Sequence, residues 1–346
     1  MMEKISIILF FRCYREKFIK FHFIQSILKN IIKNSVKLNF WKIPEKLMPK
    51  RMFKDLSKYV GNDSLSVSSL SDGPEFGFFS IFRTVREQDL KFKVHFTPRS
   101  LPQVIGCLKG IKKSFKTLKN NPFEQKDTMS IEELSELEEY ARSIGVKKIG
   151  YTEVLPQYIF RDQKQVLFKN VIVIIDEMDY DKMGKAPSAT TMVMIHKTYR
   201  RMGIQANKLA NFLRKKDYAA HAGPALGGLS IYPILAQDAG LGIIGRHGLL
   251  INPEFGPRHR IAVVYTNIQN LPVSNENAHK KIQNVCGACG RCIEKCPTGA
   301  IHETPIIGLN GRMTHVDIMK CWEGFINYGC SICIKECPLN KAPKKL

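Results

Sequence analysis

The chain has 346 residues, 44% apolar and 24% charged. That is enough chain for two domains with buried cores, and the composition excludes wholesale disorder. No stretch approaches the ~18 uncharged apolar residues of a membrane-spanning helix. Lys and Arg number 53 against 31 Asp and Glu, a formal charge of +22. This favours acidic partners such as nucleic acid, anionic lipid or a phosphate-bearing ligand, without choosing among them.

Residues 1–60 form a basic leader that holds 14 of the Lys and Arg residues against 4 acids. Its apolar run from Ile5 to Phe11 is followed by Arg12, Arg15 and Lys17. There is no small-residue cleavage site and no twin-arginine pair, so a cytoplasmic location is expected. Over 18–38, Ile24, Ile27, Leu28, Ile31 and Ile32 recur at helical spacing, with Lys20, Lys29, Lys33 and Lys37 between them. Such a helix either docks on its own domain or makes a peripheral contact with an anionic membrane.

An N-terminal extension, 61–127, opens on a polar, Ser-rich connection at 61–75 and carries no motif. A central layered α/β domain is expected over 128–275. Ser130 with Glu133 makes a capping box, and Ile131, Leu134, Leu137, Ala141 and Ile144 form one helix face that stops at Gly145. Val146–Tyr151 is a short strand candidate. Val171–Ile175 is continuously apolar and β-branched, the pattern of a strand buried on both faces. A long helix runs through Met192, Ile195, Tyr199, Met202, Ala206, Leu209 and Leu213, and another buried strand covers Arg260–Thr266.

Eight of the 10 cysteines fall in the last segment, 276–346. Clustering at one end of a long chain argues for metal in a reducing compartment rather than a disulfide scaffold. Cys286-x2-Cys289-x2-Cys292-x3-Cys296-Pro297 is the bacterial ferredoxin run, whose fourth Cys reaches the other cluster. Cys330-x2-Cys333-x3-Cys337-Pro338 repeats its latter half, with Asn327 where the first Cys belongs and Cys321 supplied from upstream. The crossing rule then assigns Cys286, Cys289, Cys292 and Cys337 to one 4Fe–4S cluster. Cys296, Cys321, Cys330 and Cys333 take the second. Zinc also binds paired cysteines, but a zinc ribbon does not need two such Cys-Pro tails. Two clusters make an electron wire, fed by a low-potential donor and ending at an acceptor.

Gly240-Leu-Gly242-Ile-Ile-Gly245 matches the dinucleotide fingerprint. The preceding Tyr232–Ala239 is not a β-branched strand, and Arg258, His259 and Arg260 stand where a lone acid should follow a helix. These glycines are expected instead to let backbone approach a large cofactor or the iron–sulfur module.

The segments Ile175–Tyr180, Ala186–Ser188, Tyr199 and Leu209–Arg214 together resemble the central region of corrinoid reductive dehalogenases. Ala239–Arg258 is similar to that family's most recognisable stretch, and Lys320–Cys330 to its second cluster motif. The resemblance covers roughly 130–340. It implies a nitroreductase-like domain holding cobalamin, followed by a ferredoxin-like double 4Fe–4S module that feeds it electrons. It further implies a proton-donating tyrosine, Tyr199, with Arg246 as its assisting cation and Arg258 as second choice. Gly240, Gly242, Gly245 and Arg258 would contact the corrinoid. No Asn stands in His221–Gly228 where an amide often accompanies the tyrosine; His221 is the candidate replacement. The same superfamily includes epoxyqueuosine reductase, which acts on tRNA and usually carries a helical region after its ferredoxin module; this chain stops nine residues after Cys337. The expectation is a reductase of a small organic substrate, halogenated ones included. Nucleic acid is the less favoured partner. The alternatives are tRNA modification, or an electron-transfer protein without chemistry of its own.

Overall fold

The computed structural model describes residues 56–59, 65–74, 95, 97–273, 278–308 and 311–341. The expected amphipathic helix at 18–38, and nearly all of the basic leader, lie outside these residues. The described residues belong to one compact unit spanning 49–346, so the expected segments 61–127, 128–275 and 276–346 are parts of one body.

Strand β1 (Val67–Ser68) interrupts the Ser-rich connection. Helix α1 (Leu101–Lys116) lies in the stretch whose sequence signals were mixed. Its buried face is only Cys107, Ile111, Ser114 and Phe115, too mixed a stripe to stand out by periodicity. Helix α2 (Ile131–Ser143) starts at the expected capping box: Ser130 Oγ accepts from Glu133 N–H and the Glu133 carboxylate accepts from Ser130 N–H. It ends before Gly145, whose φ of 87° favours glycine.

Strands β2 (Lys148–Glu153), β3 (Gln165–Val166) and β4 (Asn170–Glu177) follow. After them come α3 (Tyr180–Gly184), α4 (Ala189–Arg214), β5 (Ala220–Gly223) and α5 (Tyr232–Asp238). The hairpin of β6 (Ile243–Ile244) and β7 (Leu250–Ile251) leads to β8 (His259–Thr266). The central sheet has the order β2-β4-β8-β5 with every pair antiparallel, and β1 pairs with β3 apart from it. An antiparallel sheet commonly leaves one face to water; this one is covered on both, which is why β4 is apolar at every position from 171 to 175. Val171, Val173 and Ile175 face a core with Ile111, Phe115, Leu235, Ala236, Val263 and Tyr265. Ile172 and Ile174 face a second core with Leu137, Met202, Ala206, Leu209 and Leu213. The result is a helix–sheet–helix sandwich. Asn207 Nδ2 on α4 donates to the Gly110 carbonyl on α1 at 3.1 Å, tying α1 into it.

The C-terminal module contains α6 (Lys280–Cys289), α7 (Arg291–Glu294), β9 (Ile301–Ile307), β10 (Met313–Val316), α8 (Ile318–Tyr328) and α9 (Ile332–Lys335). β9 and β10 form an antiparallel pair. A third apolar core joins this module to the sandwich: Met178, Met183, Met192, Met194, Ile195 and Ile334, with Tyr199, Leu249, Phe325 and Cys333 against it. Among the described residues no helix is long and apolar enough to cross a membrane.

Candidate redox centre

All nine described cysteines are free. Cys286 and Cys289 sit on α6 and Cys292 on α7, while Cys337 follows α9. These four, with His247, Val285, Gly290, Pro338 and Leu339, line one pocket. Burial pushes the Cys292 thiol up, and the neighbouring Cys286 and Cys289 add to it. Cys337 is pushed up to about 11 by burial and by the same group.

The other four thiols act on one another in the same way. Cys321 on α8 is pushed up to about 12, first by burial and then by Cys330 and Cys296. Cys333 is held far above its ordinary value by burial, then by Cys321, Cys330, Cys292 and Cys296. Cys333 packs against the third apolar core. Cys296 differs: burial raises it, but N–H groups of Thr298, Ala300 and Ile301 outweigh that and leave it lowered. The Ala300 amide donates to Cys296 Sγ at 3.3 Å.

The pocket brings together Cys286, Cys289, Cys292 and Cys337, the four that the crossing rule groups. Cys321 lies in the first turns of α8. Among the described residues no three or more His, Cys, Asp or Glu side chains converge on a single-ion site; the first foursome surrounds a space instead. An all-thiol donor set around an apolar-walled pocket fits an iron–sulfur cluster, which also relieves the cost of burying several thiols that resist ionisation one by one.

The glycine segment serves the hairpin. Gly240, at φ 71°, ends α5, its N–H donating to Gln237 O and that of Leu241 to Ala236 O. A Cβ on Gly242 would lie 2.3 Å from the Ile251 carbonyl oxygen, so only glycine lets β6 and β7 approach. A Cβ on Gly245 would meet the Ile251 and His247 side chains. A helix before the motif and a hairpin after it also remove the dinucleotide reading.

The cations expected near Tyr199 are elsewhere. Arg246 is fastened to the cluster module: its backbone N–H donates to Cys286 Sγ at 3.4 Å, and its guanidinium donates to Gly287 O at 3.3 Å and Glu303 O at 2.8 Å. Arg258 is 1% exposed and pairs with Glu177 at 2.7 Å. It also donates to Met178 O, Asn340 Oδ1 and Lys341 O, bolting the C-terminal segment to β4 and β8. The cation over Tyr199 is Arg260, whose guanidinium carbon lies 4.9 Å from the ring centroid. Asp176, its partner in the sheet register, is paired with Arg201, and the buried Arg260 Nε has no hydrogen-bond partner.

His221 is fully buried between the Phe115 and Tyr265 rings, with neither ring nitrogen hydrogen-bonded. Burial, and then Arg214, push it down to about 3. It belongs to the core beside α1, whereas Tyr199 belongs to the core shared with the cysteine module, so the structure does not bring the two together.

Beside Tyr199 stands a histidine the sequence did not single out. His196, one turn earlier on α4, contacts His95 through Nε2 at 3.2 Å, and His95 Nε2 reaches the Phe325 carbonyl at 2.9 Å. The carbonyl can only accept, so the neutral His95 accepts from His196 through Nδ1, and His196 is left with an acceptor at its own Nδ1. That atom is buried and unpartnered. Burial, then His95 and Arg260, push His196 down to about 3. Only the fold shows this group, because His95, His196 and Arg260 lie far apart along the chain.

Residues 279–302 match the family model described as a 4Fe-4S binding domain. A tetrachloroethene reductive dehalogenase of Desulfitobacterium hafniense is 34% identical over 213 residues, 57% of this chain and 37% of the relative. That of Sulfurospirillum multivorans is 31% identical over 185 residues, 50% of this chain and 36% of the relative. Epoxyqueuosine reductase of Bacillus subtilis (strain 168) is 27% identical over 254 residues, covering 60% of this chain and 63% of that protein. Among solved structures, the catabolic reductive dehalogenase NpRdhA superposes with a TM-score of 0.60 at 18% identity over 81% of this chain and 43% of that one. Another, described as a reductive dehalogenase structure that suggests a mechanism for B12-dependent dehalogenation, gives a TM-score of 0.56 at 21% identity over 68% and 37%. These likenesses show a shared fold. The chain spans little more than a third of the length of the tetrachloroethene relatives it matches.

Proposed function

We infer that this chain is an iron–sulfur oxidoreductase of the reductive dehalogenase kind, on its likeness to those relatives. It passes electrons through two 4Fe–4S clusters to a corrinoid, where a small organic substrate is reduced. The observation that carries this reading is the gathering of Cys286, Cys289, Cys292 and Cys337 around one pocket, with Cys333 packed in the same core as Tyr199. Cys286, Cys289, Cys292 and Cys337 would hold one cluster; Cys296, Cys321, Cys330 and Cys333 the other. Electrons come from a low-potential donor.

The support for a corrinoid is the family resemblance and the unpaired polar atoms around Tyr199. Arg260 Nε offers a buried donor and His196 Nδ1 a buried acceptor, which suits a group whose edge carries amides. Such a group supplies reversible electron chemistry at its cobalt when bound. Arg260 and His196 would hold and orient its periphery or the substrate, and Tyr199 would hold the transferable proton at its hydroxyl. Tyr199 packs, half-buried, against the third apolar core.

Anaerobic purification with iron, acid-labile sulfide and corrinoid analysis tests the reading. Clusters with bound corrinoid support it; clusters in protein that takes up no corrinoid leave an electron-transfer protein. The identity with epoxyqueuosine reductase supports a second reading, tRNA modification. It would show as RNA binding that weakens steeply with added salt.

A further inference from the structure

The turn that joins β6 to β7 is built against the first cysteine foursome, and its residues do more there than close a hairpin. Gly245 N–H donates to Leu249 O and Gly248 N–H to Gly245 O, at 2.9 and 2.8 Å, so the turn is tight. The Arg246 backbone N–H then meets Cys286 Sγ, and its guanidinium is fixed to two carbonyls of the cysteine module. His247 follows. It is 4% exposed and lines the pocket with Cys286, Cys289, Cys292 and Cys337.

The tautomer of His247 is set within the turn. Leu249 N–H donates to His247 Nδ1 at 3.2 Å, so Nδ1 must present its lone pair and the neutral ring carries its proton on Nε2. Nε2 is buried and has no hydrogen-bond partner in the protein. A buried N–H without an acceptor costs about 1–3 kcal/mol. The pocket it lines is where a sulfur-rich cluster would supply acceptors.

We propose that His247 Nε2–H donates a hydrogen bond to a sulfur of the cluster held by Cys286, Cys289, Cys292 and Cys337. With the Arg246 N–H on Cys286, it holds that cluster's reduction potential above the value the thiolates alone would give. The proposal rests on the reading of this foursome as a 4Fe–4S site. Donors to cluster sulfur stabilise the more negative, reduced state, so hydrogen bonding is one of the levers that set such potentials. The turn belongs to the segment that runs on into β8 and Arg260, so the same piece of chain sets the potential at the pocket and places the cation over Tyr199.

The test is an EPR-monitored redox titration of anaerobically reconstituted full-length protein, with His247→Leu and His247→Gln beside the wild type. His247→Leu removes the donor, and the midpoint of this cluster should fall. At the wild-type midpoint the reduced-to-oxidised ratio should drop about tenfold, equivalent to about 59 mV for a one-electron couple. The second cluster should keep its potential, and His247→Gln, which retains an N–H, should recover much of the shift. An unmoved midpoint in His247→Leu with both clusters present, or equal shifts in both clusters, overturns the proposal. If His247→Leu fails to hold the cluster, pulsed EPR on wild type with 15N-labelled histidine decides: a weak histidine nitrogen coupling on this cluster is expected, and its absence overturns the assignment. Wild-type protein that forms no 4Fe–4S signal sinks the underlying reading, an outcome iron analysis separates from an unmoved potential.

Discussion

Tyr199 and Arg260 meet across the join between α4 and β8, and their contact makes the proposed proton donor testable one side chain at a time. Tyr199→Phe removes the hydroxyl and leaves the ring in its apolar seat. Iron content should be unchanged while turnover falls about 10²–10⁴-fold, the usual contribution of a general acid; an unchanged rate would return Tyr199 to the core. Arg260→Gln should lower turnover with both clusters intact, whereas Arg246→Gln should act on cluster retention first, since Arg246 is tied to Gly287 and Glu303. The reverse pattern would restore Arg246 as the partner of the tyrosine. Closeness in sequence explains why Arg246 rather than Arg260 is expected beside the tyrosine. Arg246, Arg258 and Arg260 lie within one short segment, and only the two-residue period of β8 and the acids at the end of β4 decide which faces Tyr199.

Local signals were most legible where one element carries its own instructions. The capping box at Ser130 and Glu133, the stop at Gly145 and the uninterrupted apolar run of β4 each depend on near neighbours, and each is found where the pattern places it. Ser130→Ala should therefore lower stability by about 0.5–2 kcal/mol without touching cluster content, as measured by thermal unfolding with iron analysis. A loss of iron in that variant would contradict the separation of α2 from the redox centre. Helix α1 was not legible, because its buried face includes Ser114 and its contact with α4 runs through Gly110, neither of which reads as core. The glycines of 240–245 show a related limit: spacing records that Cβ atoms are absent, not what approaches them. Gly242→Ala should destabilise the β6–β7 hairpin and, through Arg246 and His247, loosen the first cluster. An intact cluster with normal stability would show that the Ile251 carbonyl can move aside.

For the whole molecule, four buried histidines make stability depend on acid. His196, His221 and His259 are pushed down to about 3 and His247 to about 4, each chiefly by burial. Unfolded histidine titrates near 6.5, so between that value and the folded one the unfolded chain binds more protons. Stability from these groups is fully present above about pH 6.5 and is lost progressively as pH falls toward 4 and 3. His221→Leu isolates one of them: it should raise the melting temperature, since both ring nitrogens are unpaired, and the gain should widen from pH 7 to pH 5. A gain that stays flat with pH would mean that His221 does not resist protonation in the fold.

The central claim is that two clusters, ligated in the crossed pattern, supply this domain with electrons. In sequence the first run is legible because ferredoxin spacing encodes a local turn; what the fold adds is Cys337 brought back to the pocket of Cys286, Cys289 and Cys292, and Cys333 packed against the third core. Quantitative iron analysis with EPR of reduced, anaerobically reconstituted protein, wild type against Cys296→Ser, tests it most directly. Wild type should hold about eight irons in two cubes. Cys296→Ser should damage the cluster of Cys321, Cys330 and Cys333 and spare that of Cys286, Cys289, Cys292 and Cys337. Zinc as the main metal, a single iron site in the wild type, or loss of the Cys286 cluster in Cys296→Ser would contradict the account.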